Sequence, residues 1–214
     1  MGTHGSKHAR TENFSNVAED PRESGHAICV FHRKYTLPHT VSLHMMEKLW
    51  SWTGDNFTIK DRTTGAPFFK LSGDALSVRR HKSLRDVDGT VVARMEEPDS
   101  VARCQQVMTP SKTHLFDIVL RVAQCKYVLE CTFGDCESGA THSLGMVGDW
   151  LSRKLIVTCN GIPIAKIWRP AGLPMDQYYV DISPQVDVAL IVLVCVALEE
   201  AAEPKLTSEH SFNT

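Results

Sequence analysis

Several things are missing from this sequence, and each absence narrows what the chain can be. No apolar run reaches the roughly 17–25 residues that a membrane-spanning helix needs. The longest, VALIVLVCVAL at 188–198, is closed at its ends by Asp187 and by Glu199 and Glu200. Carboxylates held near hydrocarbon are costly, so the run reads as a buried core segment. No apolar stretch follows the first basic residues, so no secretory signal is expected. Formal net charge is only -2, which removes the electrostatic case for nucleic acid. There is no GxSxG elbow, P-loop or dinucleotide fingerprint, and no CxxC pair. Internal repeats and an interdomain linker are also lacking. The seven cysteines are odd in number and scattered. That pattern fits free thiols in a reducing cytosol better than a disulfide framework.

What is present suits one globular domain. The 214 residues are 43% apolar and 22% charged, enough to build a sizeable core. Residues 1–25 and 204–214 carry no apolar period and read as disordered tails flanking a domain at 26–203. Between 27 and 182 the pattern is strand and turn. In FTIKD, Phe57 and Ile59 share one face; PFFKLSG places Phe69 and Leu71 inward; LSVRR puts Leu76 and Val78 on one face. In CKYVLECTF, Cys125, Tyr127, Leu129, Cys131 and Phe133 alternate with Lys126, Glu130 and Thr132, one face dry and one wet. Asp88-Gly89 and Asn160-Gly161 are hairpin turns. About a dozen short strands punctuated in this way predict a closed antiparallel barrel or a sandwich.

The exception is PQVDVALIVLVCVALEEAA at 184–202. It is too long for a usual strand and does not alternate. Pro184 suits a first helical turn, and Asp187 suits the positive end of a helix dipole. A helix apolar all round must be buried all round. A barrel closed around it meets both demands. Leu190, Ile191, Val194, Cys195 and Leu198 are therefore expected in the core.

KYTLPHTVSLHMMEK, FTIKDRTTGAPFFKLSGDALSVRRHKSLRDVDGTVVARM and YYVDISPQVDVALIVLVCVALEEA together resemble the LURP-one-related family, over about residues 28–202. The most specific part is the aromatic–aliphatic strand followed by Pro, Asp and an all-apolar helix. The family is similar in fold to tubby C-terminal domains and, more distantly, to phospholipid scramblases. The resemblance implies a barrel of about twelve strands around a hydrophobic helix, with a signalling or defence-related role.

Residue chemistry separates the candidate sites. Cys131, Cys136 and His142 lack the closely paired spacing of a structural zinc site. Asp86, Asp88, Gly89 and Glu97 loosely follow a calcium loop, but Val91 stands where an EF-hand needs glycine. His142 and Ser143 are strand neighbours, which point to opposite faces. No metal, cofactor, disulfide or enzymatic activity is expected. The basic cluster Arg79, Arg80, Lys82 and Arg85 around His81 is the candidate for an anionic lipid or phosphoinositide head group. With Val78 and Leu84 inward, parity turns Arg79, His81 and Arg85 outward. The competing reading is a charged edge that discourages aggregation. Met1-Gly2-Thr3-His4-Gly5-Ser6 fits the myristoylation pattern at Gly2. The expectation is thus a non-enzymatic, monomeric, cytoplasmic binding protein. It would act at the membrane inner face or on a protein partner. A scramblase-like protein or an enzyme with a surface pocket is the alternative.

Overall fold

A computed structural model describes residues 27–46, 57–73, 81–98, 103–123 and 126–202. Twelve strands are found among these residues: β1 (Val41–Met46), β2 (Phe57–Asp61), β3 (Pro67–Gly73), β4 (Lys82–Asp86), β5 (Val91–Glu96), β6 (Cys104–Met108), β7 (His114–Ala123), β8 (Lys126–Gly134), β9 (Thr141–Asp149), β10 (Lys154–Cys159), β11 (Ile162–Trp168) and β12 (Gln177–Ile182). One helix follows, α1 (Val188–Ala202). Each strand pairs antiparallel with the next, and β1 closes the barrel against β12 from Val41↔Ile182 to Met46↔Gln177. The expected barrel is the observed one. Leu76, Val78 and Cys125 lie outside the described residues.

The alternation works as the sequence predicts. Ile59, Phe69, Leu71, Leu84, Leu129, Cys131 and Phe133 all point inward and are at most 4% exposed. An eight-stranded barrel is just filled by its own side chains. Twelve strands leave a wider bore, and a helix of about 10 Å diameter occupies it. Every residue of α1 from Val188 to Ala201 is buried, the helix's two glutamates included. A uniformly apolar helix would be unstable in water, and the barrel wall supplies the apolar surroundings its whole circumference requires.

The two ends of the barrel differ. At the end where α1 begins, the strands are joined by tight turns: 61–66, 86–90, 108–114, 134–141 and 159–162. A segment at 27–37 crosses this end and is tied to it by backbone bonds. Ile28 bridges Val186, and Thr36 bridges Asp187. The Ile28 amide donates to the Gln185 carbonyl at 2.8 Å, and the Asp187 amide to the Ile28 carbonyl at 2.9 Å. Asp187 caps the helix. One carboxylate oxygen accepts from the Val30 and Phe31 amides (3.0 and 2.9 Å), the other from the Ala189 amide (3.0 Å). Burial pushes this carboxyl up, against the pull of those donors. Pro184 is not in the first helical turn as its residue type suggests. It sits in a turn before the helix, and Gln185 beside it adopts φ +62°.

At the opposite end α1 finishes among polar groups. Lys82 Nζ meets Glu200 Oε1 at 2.5 Å, both side chains no more than 7% exposed. The Tyr178 hydroxyl donates to Glu199. Arg153 lies 3.8 Å over the Trp150 ring and donates to the Trp150 carbonyl. Cations gathered at a helix C-terminus also oppose its negative dipole end. Glu199 and Glu200 are therefore not exposed end residues; they are buried against partners inside the barrel. Gly148 sits at this end with φ +128°, where a Cβ would come within 2.2 Å of the Lys154 carbonyl oxygen, so no side chain fits.

Candidate anion-binding face

The outward surface of β3, β4 and β5 follows from strand parity and register. Ser72 pairs with Ser83, Ser83 with Arg94, and Arg94 with Met108, forming a row across four strands. One step along, Lys70 pairs with Arg85. The two hydroxyls and Arg94 line a cavity of about 230 Å³ whose walls include His81, Glu96 and Lys112. Arg94 is held in place. Its Nε donates to the Pro110 carbonyl at 3.1 Å, and Nη1 to the Ser83 hydroxyl at 3.2 Å. Lys112 is exposed on the β6–β7 turn with φ +67°. His81 Nε2 contacts Glu96 at 2.7 Å, so the acid on this wall already faces a base. The guanidinium, the ammonium and the paired hydroxyls are the donor types that hold phosphate oxygens.

The residues singled out from sequence fall in different places. Arg85 faces outward, half-buried, and its guanidinium donates to the Gly89 carbonyl at 3.0 Å. Lys82 borders the same cavity, but its ammonium is not offered to it: two residues before inward Leu84, the side chain shares that residue's face and enters the barrel to meet Glu200. Arg79, Arg80 and Gly2 lie outside the described residues. Arg94, Lys112, Ser72 and Ser83 were not singled out. Arg94 could have been found from its alternation with inward Met95; Lys112 could not, because only the fold brings its turn beside β5.

The other residues weighed from sequence take up the following places. Asp86 carries the β4–β5 hairpin: it accepts from the Asp88 and Thr90 amides, and from Lys34 Nζ at 2.7 Å and the Tyr35 hydroxyl at 3.2 Å. Burial pushes its carboxyl up, but Lys34, the Thr90 amide and Tyr35 outweigh that and hold it below the usual carboxylate range. A depressed acid stabilises the fold above its unfolded value, near pH 4, and loses that contribution as pH falls through the folded value. Asp86→Asn is therefore expected to cost about 1–3 kcal/mol at pH 7, through unmatched buried donors. The gap to wild type should narrow below about pH 4; urea unfolding at a series of pH values measures it.

Cys131 is inside the barrel, and Cys136 is exposed on the β8–β9 turn. The His142 ring and the Ser143 amide are both engaged by the Asn160 side chain. Among the described residues no group of three or more His, Cys, Asp or Glu could hold a metal ion. No helix among them is long and apolar enough to cross a membrane.

A closed antiparallel barrel threaded by the helix that follows its last strand defines the class of this protein. A family model described as LURP-one-related matches residues 41–199, from β1 to the last turns of α1. The chain belongs to the LURP-one-related family. It is similar to Protein LURP-one-related 15 of Arabidopsis thaliana, at 26% identity over 180 residues, covering 78% of this chain and 82% of that protein. Its fold is also that of an Arabidopsis thaliana protein solved by X-ray crystallography. The TM-score there is 0.60 at 21% identity, over 81% of this chain and 98% of the other.

Proposed function

We propose that this protein is a non-enzymatic binding protein whose ligand is an anionic, phosphate-bearing head group at a membrane surface, held on the outer wall of β3–β5. The observation that carries this reading is the Ser72–Ser83–Arg94 row beside Lys112, a preset arrangement of donors around a cavity of about 230 Å³. Lys70 and Arg85 extend the positive charge along the same wall. The bore of the barrel is taken by α1, which leaves recognition to the exterior. Acylation of Gly2 would add the second signal that peripheral attachment ordinarily needs.

Co-sedimentation with vesicles tests the reading. Wild-type protein is expected to pellet with phosphatidylcholine vesicles containing phosphatidylinositol bisphosphate, less with phosphatidylserine, and least with phosphatidylcholine alone. Each basic side chain near an anionic surface contributes on the order of 1 kcal/mol. Arg94→Ala with Lys112→Ala should therefore weaken binding roughly tenfold to thirtyfold, and raised salt should weaken it further. Protein carrying the N-terminal acyl group should lose additional binding on Gly2→Ala. Equal pelleting on all three vesicles, or by wild type and the double variant, would refute the assignment.

A further inference from the structure

The segment that closes the helix-start end of the barrel carries Cys29, and the β8–β9 turn carries Cys136. Their sulfurs are 3.1 Å apart, although the residues are 107 positions apart in sequence. A disulfide bond is about 2.05 Å long, so joining them asks for only about an ångström of approach. The backbone already fixes the pair. The Cys136 amide donates to the Cys29 carbonyl at 2.8 Å. The Cys29 amide donates to Asp135 at 2.7 Å, and that carboxylate also orders the turn through the Glu137 and Ser138 amides. Access is unequal: Cys29 is 1% exposed, whereas Cys136 is open to solvent. Cys104, Cys131, Cys159 and Cys195 are free thiols buried from solvent.

We propose that Cys29 and Cys136 form a redox-responsive latch, in which oxidation by hydrogen peroxide converts the thiol pair to a disulfide that locks the 27–37 segment over the barrel end. Cys136 reacts first because it can be reached. Its sulfur attacks one peroxide oxygen and the O–O bond breaks. The products are Cys136 sulfenic acid and, after proton transfer, one water. The Cys29 sulfur then attacks the Cys136 sulfur. The S–O bond breaks, the Cys29 proton leaves with the hydroxyl as a second water, and the S–S bond forms. Two electrons pass from the two thiols to the peroxide. A dithiol reductant reverses the change by thiol–disulfide exchange. Burial and the neighbouring Cys136 raise the Cys29 thiol pKa, which keeps Cys29 protonated and leaves Cys136 as the thiol that meets the oxidant first.

In the reduced protein the segment is held without a covalent tie: by hydrogen bonds, two of them to the Asp187 carboxylate at the start of α1, by the Lys34–Asp86 ion pair, and by burial of Ile28, Val30 and Tyr35. The disulfide closes a covalent loop around most of the barrel, and long closed loops restrict the unfolded chain most. The full chain, fully reduced and then exposed to stoichiometric hydrogen peroxide, is the material for the test. Differential alkylation and peptide mapping should find one cross-linked pair, Cys29 with Cys136, two hydrogens lighter than the separate peptides. The Tm should rise by about 5–10 °C and return on treatment with dithiothreitol. Cys136→Ser should abolish both the cross-link and the rise. Cys29→Ser, which keeps the exposed thiol, should instead accumulate Cys136 sulfenic or sulfinic acid. The latch is overturned if wild type ends with oxidised Cys136 while Cys29 remains alkylatable, or if the cross-link forms without a change in Tm.

Discussion

Leu190→Ala is expected to lower the unfolding free energy by roughly 2–5 kcal/mol, and Leu198→Ala by a similar amount. Both side chains are at most 1% exposed, and both lie on a helix whose every side meets barrel wall. The lost transfer energy is only part of the effect. The wall is a closed ladder of hydrogen bonds from β1 round to β12, so it cannot collapse onto a cavity at its centre. The cost should therefore fall toward the upper part of the range. Denaturant unfolding measures it, and an unchanged m-value would show that the compactness of the states is preserved. A loss below about 0.5 kcal/mol, the range of ordinary surface substitutions, would mean that α1 does not fill the bore.

Lys82→Met and Glu200→Leu, made singly, should each cost about 3–5 kcal/mol, because each leaves the other charge buried without its 2.5 Å partner. The double variant should be more stable than either single one. Two apolar side chains of similar volume replace a pair whose burial already costs much of what its attraction returns. The double-mutant cycle is the measurement. Strictly additive losses would mean that the two charges do not depend on each other.

The architecture was legible because two periodicities were clean. Period-two alternation through residues such as Leu129, Cys131 and Phe133 marked a wall with one dry face, and an unbroken apolar run at 188–198 marked a helix that had to be enclosed. The errors came where residue type competed with position. Lys82 was grouped with Arg79, Arg80 and Arg85 by charge, although its two-residue spacing from inward Leu84 put it inside. Glu199 and Glu200 read as helix-formers closing the apolar run, because no local signal reveals that Lys82 and Tyr178 wait at the same depth of the bore. Pro184 suited a first helical turn, but the chain spends 183–187 crossing from β12 to the barrel axis before Asp187 starts the helix. The Ser72–Ser83–Arg94 row and the Cys29–Cys136 contact depend on register and on closure, which join residues distant in sequence; alternation shows which face a residue takes, not which neighbour it meets.

The proposed recognition of a phosphate-bearing head group on the outer wall of β3–β5 is open to direct measurement. Titrating isotopically labelled protein with soluble inositol trisphosphate, and following backbone amide shifts by NMR, tests it most directly. Saturable shifts are predicted at Ser72, Ser83, Arg94 and Lys112, fading in the Arg94→Ala/Lys112→Ala variant and leaving the α1 amides unmoved. No shifts at millimolar ligand, or shifts gathered on β8–β10 while the β3–β5 wall stays silent, would contradict it.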